Sequence, residues 1–465
     1  MLRQPAKGGI ATYPLNKRAD RGPMSELRDK ATGIVRRLRQ AGHEAYFVGG
    51  CVRDEAMGLA PLDYDVATSA APEQIQRLFE RTAAVGAAFG VILVMDGDAT
   101  FEVATFRSDG VYHDGRRPES VRYGSAREDV ERRDFTINGM LYDPIDNRRL
   151  DWVGGMADIA ARQVRAIGDP ERRFREDRLR MLRAVRFAAR FAYALEEKTY
   201  DALCRLAPGL VAISAERIGE ELVRILTGPN AGRAVRLMRD TGLLKVILPE
   251  VNALAGVDQP PQFHPEGDVF EHTCLMLDAL KDPSPELALA ALLHDIGKPP
   301  TFAVADRIRF DEHDSVGAFM ARAVCRRLKY SNERTDRVVD LTQHHMRFGM
   351  APKMKESTLR RFMALPGFAE HLELHRLDCL ASHGKLDNYE YVRQKLASLP
   401  PEQVSPPPLL NGHDLIAMGY KPGPKFRPML DSVMDMQLEG KLTSREEAAA
   451  YVAREFPLEG AKPKD

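Results

Sequence analysis

The stretch from Tyr46 to Asp65, YFVGGCVRDEAMGLAPLDYD, constrains this chain more than any other. Tyr46-Phe47-Val48 is bulky and apolar and reads as a buried strand. Gly49-Gly50 permits a tight turn and leaves backbone N–H groups uncovered. Cys51 to Leu59 is helix-compatible, so the turn opens a helix whose N-terminus suits an anion. Arg53, in the first turn, adds a cation for a phosphate. Asp63 and Asp65 follow in Leu62-Asp63-Tyr64-Asp65-Val66. On a strand, residues i and i+2 share one face, and two carboxylates side by side repel unless a cation lies between them. Oxygen-rich sites of this kind suit Mg²⁺, which completes its shell with phosphates and waters. Together these residues suggest a nucleotide triphosphate held beside a metal.

A chain of 465 residues exceeds what one core supports, so several domains are expected. Hydrophobic content of 44% and charged content of 29% fit a soluble globular protein. The formal net charge is zero, which confines any nucleic-acid surface to a local patch. Cys51, Cys204, Cys274, Cys325 and Cys379 have no metal-type spacing and read as free thiols in a reducing compartment, the cytoplasm. No apolar run is long enough to span a membrane, and residues 1–25 read as a loose extension without a signal-peptide core; Met24 is a second candidate start.

Along the chain, Leu27, Ala31, Ile34, Val35 and Leu38 mark a helix from Ser25, its N-cap, to Gln40. A short helix begins at Ala71-Pro72. Gly90 to Met95 and Thr100 to Phe106 read as a hairpin turning at Asp96-Gly97-Asp98. Glu102 shares a strand face with Thr100 and Ala104, and on a strand beside Asp63 and Asp65 it would complete a carboxylate trio. Residues 107–125 read as a polar, basic loop, and Arg132 to Asn138 as the start of a helix. From about 160 the pattern is helical. Asp177 and Arg180 share one side of a helix at i,i+3, Arg183 flanks it, and Arg186 has drifted away.

A second constellation lies in 264–378. His272 opens a helical pattern, and Ala288 to Leu293 leads into His294-Asp295-Ile296-Gly297-Lys298. His313, His344, His345 and Asp378 follow. Imidazole nitrogen with carboxylate oxygen suits a divalent hydrolytic metal. Pro400 to Pro408 reads as a linker before two further helices, Phe426 to Gln437 and Ser444 to Phe456.

Five ordered motifs resemble one family: YFVGGCVRD with LDYDVAT, FEVATFR, the DGRRP loop, RRDFTINGMLYDP and REDRLRMLRAVRFAARF. The chain resembles the class II tRNA nucleotidyltransferases, the CCA-adding enzymes, with bacterial poly(A) polymerases as near relatives. QFHPEGDVFEHT and LLHDIGKP resemble an HD phosphohydrolase domain. The resemblance implies an α+β chain: an extension over 1–25, a polymerase-beta-like nucleotidyltransferase α/β head over 26–160, then all-helical parts. These are a neck and RNA-binding domain over 161–250, an HD domain over 251–399, and a tail over 400–465 that contacts tRNA.

It also implies roles. Asp63 and Asp65 would ligate two Mg²⁺ ions, with Glu102 the third catalytic carboxylate; one ion would activate the tRNA 3′-hydroxyl, the other clamp the triphosphate. Gly49, Gly50 and Arg53 would hold the triphosphate, with Arg107 in the flexible loop. Arg133 and Asp134 would meet the sugar and phosphates. Asp177 and Arg180 would read the base edge of C or A from CTP and ATP, with Arg183 and Arg186 as further nucleotide contacts. The HD metal, a transition ion or Mg²⁺, would be held by His272, His294, Asp295 and Asp378, with His313 and His345, rather than His344, as extra ligands. The small residues of Val85 to Gly90 and the intact loop from Arg107 to Arg117 match full CCA addition. Addition of A alone, poly(A) synthesis, or an HD phosphohydrolase with an RNA-docking head are the rival readings.

Overall fold

The computed structural model describes residues 23–86, 90–109, 121–260, 267–304 and 307–458. Its contacts divide it into two compact units, Met1–Asn252 with Arg327–Tyr330, and Ala253–Arg326 with Ser331–Asp465.

The strands of the first unit begin with β1 (Ala45–Val48), β2 (Asp65–Thr68), β3 (Thr82–Gly86), β4 (Val91–Asp96) and β5 (Ala99–Thr105). They continue with β6 (Arg107–Asp109), β7 (Val121–Tyr123), β8 (Met140–Asp143) and β9 (Arg148–Asp151). A mixed sheet takes the order β3-β4-β5-β2-β1-β8-β9, with β2 and β5 parallel and the other neighbours antiparallel. Both faces are buried. Phe47, Val66, Ile92 and Val103 pack against Ile34 and Leu38 of helix Pro23–Gln40 on one side. Tyr46, Val48, Ala67 and Leu141 pack with Phe106 and Val130 on the other. Burial of each large side chain contributes about 1.5–3 kcal/mol.

Several local expectations are corrected. Helix Pro23–Gln40 begins before Ser25, which lies inside it rather than capping it. Asp63 precedes β2, which starts at Asp65, so the two aspartates do not share a strand. The loop at 107–125 is closed at its base by pairing of β6 with β7; its residues 110–120, with the DGRRP motif, lie outside the described residues, as do 87–89 and 1–22. Arg132 to Asn138 does not begin a helix. It follows helix Ala126–Glu131, which Ser125 caps, and runs through a 3-10 turn at Thr136–Asn138 into β8. The basic segment is two helices, Pro170–Glu176 and Arg180–Arg190, and Asp177 stands extended between them.

The second unit is mainly helical, with a hairpin at Phe302–Val304 and Ile308–Phe310 that periodicity did not reveal. The expected linker contains a short helix, Pro401–Val404, and Val404 is buried with Phe348, Phe362 and Val392. The tail packs Leu415 and Tyr420 against Met429, Val433 and Val452.

Candidate active sites

The head site forms where β1 ends. Gly49 turns the chain at φ 75°, open to glycine and costly for other residues, and helix Gly50–Ala56 starts at once. An added Cβ at Gly49 would lie 3.5 Å from the Arg133 guanidinium; one at Gly50 would lie 3.7 Å from that of Arg53 and 4.0 Å from Asp63 Oδ1. The turn, both arginines and the aspartate therefore meet at one place. Glu102 arrives by register. Val66 pairs with Val103 and both enter the core, so Asp65 and Glu102, one residue earlier in each strand, face the other way together. Burial, then the charges of Asp63 and Glu102, push the Asp65 carboxyl up to about 7. That mutual repulsion is the electrostatic signature of a divalent-cation site, and an all-oxygen donor set fits Mg²⁺.

The arginines around it are held by partners that the motifs did not announce. Arg53 is buried; it donates to Asp54 (2.8 Å) and Asn138 (2.7 Å) and stacks on Phe187 and Phe191. It is a fixed cation under the turn rather than a free surface one. Arg133 and Arg132 both bind the buried Asp129, and Arg132 also donates to the Arg107 carbonyl. Asp134 takes hydrogen bonds from Asn138 (3.1 Å) and Arg183 (2.8 Å). Burial opposes its ionisation, but Arg183 and Asn138 outweigh that and hold it down to about 2.

Asp177 and Arg180 are adjacent but not on one helical face. Arg217 donates to both Asp177 oxygens, at 2.9 and 3.1 Å. Arg180 donates to Glu176 (2.9 Å) and to the carbonyls of Arg173 and Arg132. Arg186 binds the buried Glu221 at 2.6 Å and lies over Phe187, which Arg183 also faces. Arg217 and Glu221 both come from helix Ala215–Leu226, whose acidic-basic pattern was the signal available.

The second site gathers side chains from separate helices. His272 lies on helix Val269–Ala279; His294 caps Pro285–Leu293 and Asp295 follows it. His313 opens His313–Arg327, His345 caps Asn332–His344, and Asp378 lies on Phe368–Ala381. Two triads result, His272-His294-Asp378 and Asp295-His313-His345, with ligand atoms within 4.8 Å of one another in each. Asp295 joins them: its Oδ2 is 3.1 Å from His294 Nε2, its Oδ1 3.6 and 3.7 Å from Nε2 of His313 and His345. His272 Nε2 lies 3.1 Å from Asp378 Oδ1. His344 is not among them; it pairs with Asp340 instead.

In His294, His313 and His345 the Nδ1 faces a backbone carbonyl at 2.7–3.0 Å, where it must donate. Among the described residues each Nε2 is buried and has no hydrogen-bond partner. Burial, then the neighbouring His294, pushes His345 down to about 4, so it stays neutral. Asp378, despite burial, is held well below the carboxylate range by His272. Imidazole nitrogens with carboxylate oxygens are a donor set for divalent metal. A cavity of about 610 Å³ opens over the second triad, lined also by Lys298, Arg307, Arg309 and Lys385.

Gly297 sets this geometry. A Cβ there would lie 2.1 Å from the His313 carbonyl oxygen and 2.7 Å from Gly317 N, both backbone. Gly297→Ala is expected to destabilise the second unit by about 3 kcal/mol or more and to lower its bound metal, checked by urea denaturation and metal analysis.

Residues 45–165 match the Poly A polymerase head domain, 192–254 the Probable RNA and SrmB- binding site of polymerase A, and 268–379 the HD domain. The chain is 44% identical over 231 residues to the CCA-adding enzyme of Bacillus velezensis, covering 50% of this chain and 57% of that protein. It thus spans about half the length of the curated relatives it matches. The crystal structure of Bacillus stearothermophilus CCA-adding enzyme in complex with CTP superposes with a TM-score of 0.70 and 30% identity, over 93% of this chain and 98% of that one. Thermotoga maritima CCA-adding enzyme complexed with tRNA shares the fold, with a TM-score of 0.58, 19% identity, and coverage of 94% and 97%. The chain belongs to the CCA-adding enzyme family of nucleotidyltransferases, and it carries an HD domain.

Proposed function

We propose that this protein adds C, C and A in turn to tRNA 3′ ends from CTP and ATP, without a nucleic-acid template. The observation that carries this reading is the meeting of Asp63, Asp65 and Glu102 beside the Gly49–Gly50 turn. Asp63, Asp65 and Glu102 would hold Mg²⁺, which would supply positive charge for the 3′-hydroxyl and the triphosphate. The chain's own residues do the rest. The glycine turn offers backbone N–H groups to phosphate, and Arg53 and Arg133 lend positive charge from fixed positions. Asp177 accepts from the exocyclic amine that both C and A carry, and Arg180 donates to the ring edge. Arg217 takes one lone pair on each Asp177 oxygen and the Leu179 N–H takes the other on Oδ1, which leaves one on Oδ2 for the base. Arg183 orients Asp134 toward the sugar, and Arg186 braces the helix through Glu221.

We read the domains as a head over 26–160, a neck over 161–250, an HD domain over 251–399 and a tail over 400–465 that contacts tRNA. Among the described residues no helix is long and apolar enough to cross a membrane, and the five cysteines form no disulfide with one another; we place the activity in the reducing cytoplasm. The HD domain is a metal-dependent phosphohydrolase acting on phosphorylated or cyclic-phosphate RNA ends. Its two triads would hold divalent metal, which would supply Lewis acidity.

The test uses tRNA transcripts ending before CCA, after the first C and after the second C, with labelled CTP or ATP. We expect CTP to enter the first two and ATP the third. If CTP is never incorporated, the protein adds A alone and full CCA addition is wrong.

A further inference from the structure

Between the two aspartates of the head site stands a tyrosine that turns away from it. Asp63 is exposed, Tyr64 is buried and Asp65 is half-buried. Tyr64 packs in the same core as Phe47 and Val66, its ring centre 5.1 Å from that of Phe47. Its hydroxyl donates to Glu55 Oε1 at 2.9 Å. Glu55 lies on helix Gly50–Ala56, which the Gly49–Gly50 turn opens. The same Oε1 accepts from Arg28 Nε at 2.9 Å, and Arg28 Nη2 donates to the Tyr142 hydroxyl at 3.2 Å. Arg28 belongs to helix Pro23–Gln40 and Tyr142 to β8. A single carboxylate oxygen therefore ties the aspartate segment to the helix behind the glycine turn, and both to the outer helix. The segment between Ala56 and Asp65 has few other anchors. Pro61 is buried, but Gly58 to Ala60 and Leu62 are exposed.

We propose that Tyr64 and Glu55 are positioning residues that set the distance between the metal-binding carboxylates and the triphosphate turn. This rests on the nucleotidyltransferase reading for the reaction and on the geometry for the roles. Consecutive Cα atoms are about 3.8 Å apart, so any shift of Tyr64 carries Asp63 and Asp65 with it. Glu55 is joined to Gly50 by continuous helix, so it moves with the turn. The Phe47 contact is apolar and non-directional. The hydroxyl bond to a carboxylate is directional and about twice as strong as a neutral one, and it fixes where the tyrosine backbone rests. Asp63, Asp65 and Glu102 repel one another when no cation is bound. They stay close only where the chain holds them, so loosening the tyrosine should weaken metal binding first. A misplacement of about 1 Å at such a centre can cost about 100-fold in rate.

The experiment uses the full chain. Mn²⁺ binding is measured by titration calorimetry, and the binding event missing from Asp65→Asn identifies the head site. Tyr64→Phe deletes the hydroxyl and keeps the packing, so its Tm should stay within about 4 °C of the wild type. Its head-site Mn²⁺ affinity should fall about three- to tenfold. Its kcat for CTP addition should fall about tenfold or more, with KM for tRNA unchanged. Raised Mg²⁺ should restore part of that turnover. Glu55→Gln keeps a neutral acceptor and should recover part of the metal affinity that Glu55→Leu loses. Wild-type metal affinity in a folded Tyr64→Phe overturns the proposal. So does recovery of that affinity on simply cooling Tyr64→Phe away from its Tm, because lost packing would then be the cause. If Tyr64→Phe loses metal affinity but the wild type adds no nucleotide to tRNA, the positioning role stands and the transferase reading falls.

Discussion

Asp63→Ala should abolish nucleotide addition while tRNA still binds. Asp63 is exposed at the cluster mouth, where it contributes charge rather than packing, so the fold survives its loss. Charge stabilisation by metal is worth several kcal/mol, which places the drop in turnover at about 10³-fold or more. Single-turnover addition to a tRNA transcript and gel-shift binding of the same transcript separate chemistry from docking. Retained turnover would put the metal elsewhere. Asp65→Asn adds a thermodynamic readout. Burial and two neighbouring carboxylates raise the folded-state pKa of Asp65 to about 7. A raised carboxyl pKa means that the folded state loses stability as pH climbs from the ordinary carboxylate range through that value. The metal-free Asp65→Asn chain should therefore melt above the wild type at about pH 8, with the gap closing toward about pH 5. Mg²⁺ should raise the wild-type Tm and leave that of Asp65→Asn nearly unchanged.

What could be read in advance was what depends on local pattern. The glycine turn, the alternation that aims Glu102 away from the core, and the apolar helix ending in His294-Asp295 are all short-range signals. The basic segment misled for a physical reason. Its charges and apolar residues suit one long helix, but the Asp177 side chain accepts from the Leu179 N–H at 3.1 Å. Aspartate competes with the helix in this way and starts the next one, and a periodicity count does not register that competition. The roles of Asp134, Asp177 and Arg186 also depend on partners 49, 40 and 35 residues away. Nothing in the spacing of RRDFTIN or REDRLR announces Arg217 or Glu221. Lys298 was in plain sight beside the His-Asp pair, but its contact with Gln259 across 39 residues was not.

Replacing His294 with alanine should remove metal-dependent phosphohydrolysis and leave CCA addition intact. His294 belongs to one triad and lies 3.1 Å from the carboxylate that reaches the other, so its loss weakens both. Changing a group that merely supports a metal ligand already costs about 10–100-fold, and a direct ligand should cost at least the upper end. The substitution also relieves a crowded, buried set of imidazoles, so the metal-free variant should fold at least as well as the metal-free wild type. Chelation should reproduce the phosphohydrolase loss in the wild type and be reversed by added divalent metal, whereas His294→Ala should stay inactive. The decisive comparison is both activities in one preparation, with metal content measured on the same sample. Loss of hydrolysis and metal together, with nucleotide addition unchanged, separates the two chemistries. Loss of nucleotide addition as well would mean that the histidine cluster serves the transferase by holding its shape.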